Sequence, residues 1–419
     1  MSRSRLVLPL YASAEAFSFV GNSAIQLALP WLVLLRTGDP AAAAGVAAAT
    51  GVAQILATVA VGPLIDRFGA RRMAVLADVC SAASVAALAL LDTFGGLSLL
   101  ALVLLAAAGG LFDIPGMTAR QTLMPRVAER SGFSLDTVAG LRQGIFGVSF
   151  LAGPAGAGVL LAVLAPGTVL WLTAACSGLA ALATVAVRVP PVGSDGAEPG
   201  FRGAWRTVRR HPVIVKLFVV ATMGSLVSTP LLSVLLPAHF AALGRPDFLG
   251  FTMSSFAVGV IAGSALYALL VRSSRRLAWV VSIAASTTGL VLIATLDGFW
   301  VVAAGAIVVG LGSGVVSPLF GVVISERVPG TQLGRVMGFS NALSLAAGPI
   351  GLGATGLVVG AGSLAALAWG IAGAWVLMAA FALSGRGLRA LESPSTGTED
   401  EDGVGKAKEH AIADDQPTR

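Results

Sequence analysis

The stretch 62-GPLIDRFGARRMAVLADV-79 sets Asp66, Arg67, Arg71, Arg72 and Asp78 between two long apolar runs. What such crowding means depends on the rest of the chain. The 419 residues are 56% apolar and 11% charged, with 52 glycines and a mean hydropathy of +0.87, whereas charged residues make up about a quarter of an ordinary soluble chain. A soluble domain of this length needs a polar surface that so few charges cannot supply. The chain is a polytopic membrane protein, and its charged stretch is a turn in water between two spans.

A helix crossing the hydrocarbon core takes about 20 apolar residues. Runs of that kind lie at 6–35, 41–61, 73–91, 97–117, 143–164, 168–187, 213–236, 248–271, 277–296, 299–323, 336–360 and 363–384. The expected fold is therefore all-α, with twelve transmembrane helices in two pseudo-symmetric six-helix bundles: 1–187, a linker at 188–212, and 213–385. The linker is Pro/Gly-rich and then basic, as suits an interfacial helix around Trp205. The acidic, aperiodic residues 386–419 read as a disordered tail. The N-terminal apolar run is too long for the core of a signal peptide and is expected to be an uncleaved first span. With both termini cytoplasmic, all of the 27 Lys and Arg except Arg36 and Arg245 fall on the inner side, the distribution that positive charge follows in membrane proteins. The halves look duplicated: Pro30 and Pro237 are 207 apart, Arg71 and Arg275 are 204 apart, and Pro115 and Pro318 are 203 apart. Parallel repeats of six spans are the plan of one large transporter class.

In this topology 62–72 is the short inner turn between spans two and three. The pattern G-x-x-x-D-R-x-G followed by basic residues, here Gly62, Asp66, Arg67, Gly69, Arg71 and Arg72, resembles the signature of the major facilitator superfamily at this loop. The resemblance extends over residues 5–385. It implies that the loop charges form a cytoplasmic latch between the halves in the outward-facing state. Because Ala70 stands where the family has a basic residue, the latch is expected to pair Arg71 or Arg67 with Asp113 or Asp78. The second copy, 271-VRSSRRL-277, keeps the arginines without the acid and is read as a topology signal only.

Span five contains 147-GVSFLAGPAGAG-158. A proline removes an N–H and kinks the helix, while Gly153, Gly156 and Gly158 around Pro154 offer a smooth face to a neighbour. This resembles the Gly-Pro motif of the superfamily's drug exporters and implies export. Gly259 and Gly263 in span eight are the expected packing partners. The texts 118-TARQTLMPRVAER-130 and 204-AWRTVRRHP-212 resemble the bacterial branch of macrolide and siderophore efflux proteins.

Ionisable groups inside a membrane mark pathways and proton relays. Glu15, Ser18, Asn22 and Gln26 follow spacings of three, four and four, so they share one helix face and are expected to line a central cavity. Glu15 is the candidate for exchanging a proton or pairing with a cationic substrate. Asp113 and Asp78 are assigned to the latch, and Asn341 in span eleven to the cavity. The basic residue that the family carries within span four has no match in 97-LSLLALVLLAAAGGLF-112. Phe17, Phe19, Phe146, Phe150, Trp31, Phe256 and Phe339 are candidates for an apolar binding surface. Trp31, Trp171, Trp300 and Trp369 sit near span ends, where indoles anchor the interface.

These residues imply a secondary transporter that exports a hydrophobic or amphipathic small molecule by proton antiport. The alternative is an importer or facilitator of a metabolite or lipid on the same fold. No phosphate-binding loop is present, and the only lysines are Lys216, Lys406 and Lys408, so ATP does not drive transport within this chain. No catalytic cluster points to an enzyme. Cys80, Cys176, His211, His239 and His410 are scattered, so neither a metal, a cofactor nor a disulfide is expected. The expected partners are the substrate, the proton and the lipid bilayer, with no nucleic acid. The expected location is a bacterial plasma membrane, and the resemblance implies a monomer.

Overall fold

The computed structural model describes residues 6–187, 212–328, 330–361 and 363–384. Almost all of the expected linker, 188–211, and the tail from Gly385 lie outside the described residues. Among the described residues every regular element is helical: α1 Val7–Thr37, α2 Pro40–Phe68, α3 Ala70–Thr93, α4 Leu99–Ser131, α5 Leu135–Val163 and α6 Pro166–Ala186 in the first half. The second half has α7 Pro212–Pro230, a π turn Leu231–Leu235, α8 Leu236–Ala242, α9 Pro246–Leu270, α10 Arg275–Ala294, α11 Gly298–Arg327, α12 Gly330–Ala361 and α13 Leu364–Leu383. α7, the π turn and α8 run on as one span. Eleven spans have the length and apolarity to cross a membrane, and the 32-residue α12 is the twelfth rod.

Local chemistry sets the helix ends. The side chains of Asp39, Ser98, Ser134, Ser274 and Ser363 each accept a hydrogen bond from a backbone N–H in the first turn that follows, where an uncapped N–H has no intrahelical partner. Pro40, Pro166 and Pro246 occupy first-turn positions that need no N–H. Gly69 alone separates α2 from α3. Its φ of +80° is a conformation that residues with a Cβ resist, so the glycine of the charged loop is what lets the chain reverse there.

Two helix boundaries differ from the hydropathy reading, and the difference matters. α4 continues to Ser131 and α5 begins at Leu135, so Arg120 and Arg142 lie inside helices, not in loops. A hydropathy window closes a span at its first charges, but a helix continues wherever its backbone bonds and its charges are satisfied. The single span expected at 213–236 is also interrupted. Pro230 cannot donate to the Leu226 carbonyl, which instead faces Gly351 so closely that a Cβ there would overlap it, and the π turn follows at once.

Helices α1–α6 pack together, as do α7–α13, and α2 on α12 and α5 on α9 join the halves. The connections alternate between two ends: a basic end, with the turns at 69, 132–134 and 271–274, and an opposite end, with those at 38–39, 94–98 and 243–245. Every close contact between the halves described here lies nearer the opposite end. Gly51 abuts Pro349, Gly250 abuts the Pro154 carbonyl and Gly158, and the Ala155 N–H donates to Ser254 Oγ at 3.1 Å. Gly259 and Gly263 do not serve this seam as expected. They face Ile307, Leu311 and Gly314 of α11, inside the second half. Four glycines, with Gly310 and Gly314 on the other side, let α9 and α11 meet backbone to backbone.

Candidate functional site

A cavity of about 650 Å³ lies between the halves. α1 contributes Asn22 and Gln26, α2 contributes Gln54, α4 contributes Asp113, α7 contributes Ser225 and Ser228, and α12 contributes Asn341. The rest of the wall is mostly apolar, including Leu29, Leu88, Met253, Phe256 and Leu352. Among the lining residues Asp113 is the one charged side chain. A recess of about 350 Å³ runs into the second half, sharing Ser225, Ser228, Phe256 and Ser344 with the main cavity. Ser282, Ser286, Ser313, Ser317 and Trp375 line its depth. Among the described residues no charged one enters its wall.

The polar stripe on α1 is divided by depth. Asn22 and Gln26 reach the cavity, whereas Glu15 and Ser18 do not line it. Glu15 and Gln26 share a helix face, but eleven residues at 1.5 Å each put them about 16 Å apart along the axis. At the level of Glu15 that face meets α4 and α5. Glu15 is wholly buried, accepts from Arg142 Nε at 3.0 Å and from the Tyr11 hydroxyl at 2.9 Å, and lies 3.7 Å from Arg120 Nε. Arg120, only 3% exposed, donates through Nη1 to both Asp78 oxygens at 2.8 Å and through Nη2 to Ser18 Oγ. Two carboxylates and two guanidiniums thus neutralise each other inside the first half, as buried charges must. Beyond the apolar window read as span four, α4 carries a buried basic residue, Arg120. The sequence signal for it was weak, because Pro115, Gly116 and Pro125 read as breaks before the Gly132 stop that the helix reaches.

The charge pairs expected of the latch in the outward-facing state are not made in this structure. Asp78 is held by Arg120, and Asp113 faces the cavity. The Arg71 guanidinium donates to the carbonyls of Thr184 and Val185, at a helix C-terminus where carbonyls lack N–H partners. Arg67 stacks over the Phe68 ring at 5.6 Å, and Arg72 is exposed. The surroundings of Gly62 and the side chain of Asp66 lie outside the described residues. Every ion pair among the described residues stays within one half. In the second half the acid absent from the loop comes from α11: Arg275 donates to both Glu326 oxygens at 2.6 and 2.7 Å, which holds the Glu326 carboxyl below its ordinary range.

The glycines around Pro154 point in separate directions and do not form the one face expected. Gly153 abuts Ser23 of α1, Gly158 abuts Gly250, and Gly156 meets open space. Pro154 itself lines the cavity. Four of the expected aromatics form a ladder across the seam, Phe19–Phe146–Phe150–Phe256, with centroid spacings of 5.2, 5.8 and 6.2 Å. Phe339 instead stacks on Phe218 within the second half. Trp171, Trp300 and Trp369 are exposed as interfacial anchors would be, but Trp31 is buried.

Residues 11–244 match the family described as Major Facilitator Superfamily. The chain is 34% identical to the multidrug efflux pump Tap of Mycobacterium tuberculosis over 364 residues, covering 84% of this chain and 86% of that one. It is 23% identical to macrolide efflux protein A of Streptococcus pyogenes over 363 residues, covering 81% and 86%. Among solved structures, a mutant form of the nucleoside transporter NupG superposes with a TM-score of 0.72 at 15% identity, over 92% of this chain and all of the other. A bacterial homologue of the iron transporter ferroportin in an inward-facing state superposes with a TM-score of 0.67 at 16% identity, over 90% and 98%. At such identities the structures speak for the fold alone. With a family match over residues 11–244 and a relative 34% identical over most of both chains, the chain belongs to the Major Facilitator Superfamily.

Proposed function

We propose that this chain is a secondary active exporter, which carries a hydrophobic or amphipathic small molecule outward across a bacterial plasma membrane in exchange for protons. One observation carries the reading: a largely apolar cavity at the junction of two bundles, with its inter-half contacts gathered at one end. Positive charge collects on the cytoplasmic side of membrane proteins, so the basic end faces the cytoplasm and both termini lie there. The seal at the opposite end then makes this the inward-facing state, loaded from the cytoplasm. Rocking the halves about the cavity breaks the contacts of Gly51 and Gly250 and closes the basic end, where the loop charges of 62–72 form the latch of the other state.

The 34% identity to an efflux pump named for multiple drugs supports export over import. So does the wall, which is mostly apolar and, among the described residues, carries no basic group to hold an anion. The monomer is complete in this reading, because both halves of the site come from one chain. The buried set of Glu15, Asp78, Arg120 and Arg142 ties α1, α3, α4 and α5 into one body that moves as a unit.

The test is expression in a bacterium deprived of its own efflux pumps, scoring growth and dye retention across macrolides, tetracyclines, phenicols and cationic dyes. The expected outcome is resistance to at least one class, abolished when the proton gradient is collapsed. Accumulation rather than loss of substrates in the expressing cells would overturn export. Extrusion that persists without a proton gradient would overturn antiport.

A further inference from the structure

We infer that the recess in the second half is a subsite for an uncharged, oxygen-bearing part of the substrate, a ketone, ester or ether group, held by the indole N–H of Trp375 and the hydroxyl of Ser286. This rests on the exporter reading of the adjoining cavity and adds the chemistry of the part of the substrate that leaves it. The recess is not the space between the halves. Every residue described in its wall, from Leu217 to Trp375, belongs to the second half, so rocking of the halves leaves it whole. The group it holds travels with that half.

Two buried donors in this wall lack acceptors. The Trp375 side chain is only 7% exposed, and its Nε1–H has no hydrogen-bond partner among the described residues. A buried indole ordinarily finds one, as Trp279 of α10 does on the Ala382 carbonyl of α13 at 3.3 Å. Ser286 is 4% exposed, lines the recess, and makes no hydrogen bond through its side chain among the described residues. Two other hydroxyls of the wall are already engaged, Ser282 on the Gly312 carbonyl at 2.9 Å and Ser313 on the Val309 carbonyl at 3.1 Å.

Register brings the two donors together. α10 and α13 pack against each other in opposite directions, and the bond from Trp279 to Ala382 sets their alignment. Ser286 lies seven residues after Trp279, and Trp375 lies seven before Ala382. Both steps are two helical turns, so both side chains return to the facing sides at one level. Gly312 of α11 keeps that level open, because a Cβ there would overlap Ser286 Oγ. The chemistry of the occupant follows. No charged side chain lines the recess among the described residues, so an ammonium or carboxylate would be buried there without a partner. Hydrocarbon alone would leave both donors unpaired. An indole can only donate, and a free hydroxyl can donate as well. The complement is an acceptor oxygen without charge, on an apolar frame that packs against Ile283, Leu290, Val309 and Phe320.

The test uses the purified full-length chain and three probes of similar shape: benzophenone, whose neutral carbonyl is both the acceptor and a photolabel under ultraviolet light, diphenylmethane, which lacks the oxygen, and benzoylbenzoate, an anion on the same frame. Benzophenone is expected to label residues of the recess wall such as Ile283, Leu290 or Val309, read by mass spectrometry. Diphenylmethane should compete for the site more weakly than benzophenone binds it, and benzoylbenzoate should label it more weakly still. Trp375→Phe and Ser286→Ala keep the wall apolar. Each should raise the half-saturating concentration of benzophenone by about two- to tenfold, the range of one neutral hydrogen bond, and leave the inhibition constant of diphenylmethane unchanged, whereas a loss of packing would weaken both probes. Labelling confined to the first half, equal strength of benzophenone and diphenylmethane in the parent, preference for the anion, or unaltered saturation in both folded variants would overturn the inference. Displacement of the label by phosphatidylglycerol would make the occupant a lipid ester and overturn the substrate assignment. If neither variant folds, the parent decides through the labelled residues and the comparison of ketone with hydrocarbon. Binding is read without a gradient, so failure of transport would strike the exporter reading while leaving this result standing.

Discussion

The two halves share a plan and fill it differently. At offsets of 203 to 207, the first half's Tyr11, Glu15, Ser18, Asp78 and Arg120 correspond to Phe218, Thr222, Ser225, Ser282 and Val323. One interior is closed by four mutually neutralised charges. The other replaces them with hydroxyls and hydrocarbon, and at that depth it opens into the recess lined by Ser282, Ser286 and Trp375. Six packed helices thus accept two kinds of interior. Charges can fill a membrane-embedded core only if each finds a partner, which locks several helices at once. Small hydroxyl residues need only a backbone carbonyl, as Ser313 finds on Val309 of its own helix at 3.1 Å and Ser282 finds on Gly312 of α11 at 2.9 Å, and they leave room. The first half is therefore the rigid wall that carries the charge, and the second is the wall that takes up bulk.

The sharpest way to break this comparison is Arg120→Leu. It strands Asp78 and removes one of the three polar contacts of Glu15, and removing one partner of a buried pair costs about 3–5 kcal/mol, so the purified protein should melt well below the parent. The mirror change, Val323→Arg, puts a lone charge into the second interior and should do comparable harm. If Arg120→Leu were as stable as the parent, the charged core would not be what orders the first half.

Next in size is Gly250→Val at the seam. Its Cβ would meet the Pro154 carbonyl and Gly158, an overlap of the sort that costs about 1–3 kcal/mol. The cost falls only on the state sealed at this end, so cysteines placed at the opposite end should become more accessible to polar reagents. Gly156→Val, in open space on the facing helix, should leave that accessibility unchanged. If both changes behaved alike, the seam would not be the seal.

Ser313→Leu tests the recess. It fills space rather than breaking a contact, so it should lower affinity for bulky substrates by about 1 kcal/mol, or roughly fivefold, and spare small ones. Binding measured across a size series checks this.

The smallest effect is expected at the basic rim. Glu326→Gln breaks a partly exposed pair, worth at most about 1 kcal/mol after solvent screening. The Glu326 carboxyl is held below its ordinary range by Arg275. Its contribution is therefore complete above the unfolded value near pH 4.3, and it is lost as pH falls through the lower folded value. Melting curves of parent and variant should converge in acid and separate slightly at neutral pH.

The membrane class, the helical spans, the duplication and the family motif were all legible in the residues, because each depends on hydropathy or spacing along a local stretch of chain. The cavity was partly legible. Asn22, Gln26 and Asn341 were expected in it and line it, since a polar side chain in an apolar helix must face something other than lipid. The roles of the acids were not. Glu15 reads as a cavity-lining acid and Asp113 as part of the latch, yet Glu15 is enclosed by Arg120 and Arg142 while Asp113 lines the cavity. Glu15 and Arg142 are 127 residues apart, and Asp78 and Arg120 are 42 apart. Nothing local to any of them says which meets which. The sequence by itself determined that this chain crosses a membrane as helices and turns at its charges, because the cost of leaving water is a sum over neighbouring residues. Only the tertiary structure decided which carboxylate is neutralised and which is left facing the cavity, because a buried charge is matched across space by helices whose packing no single stretch encodes.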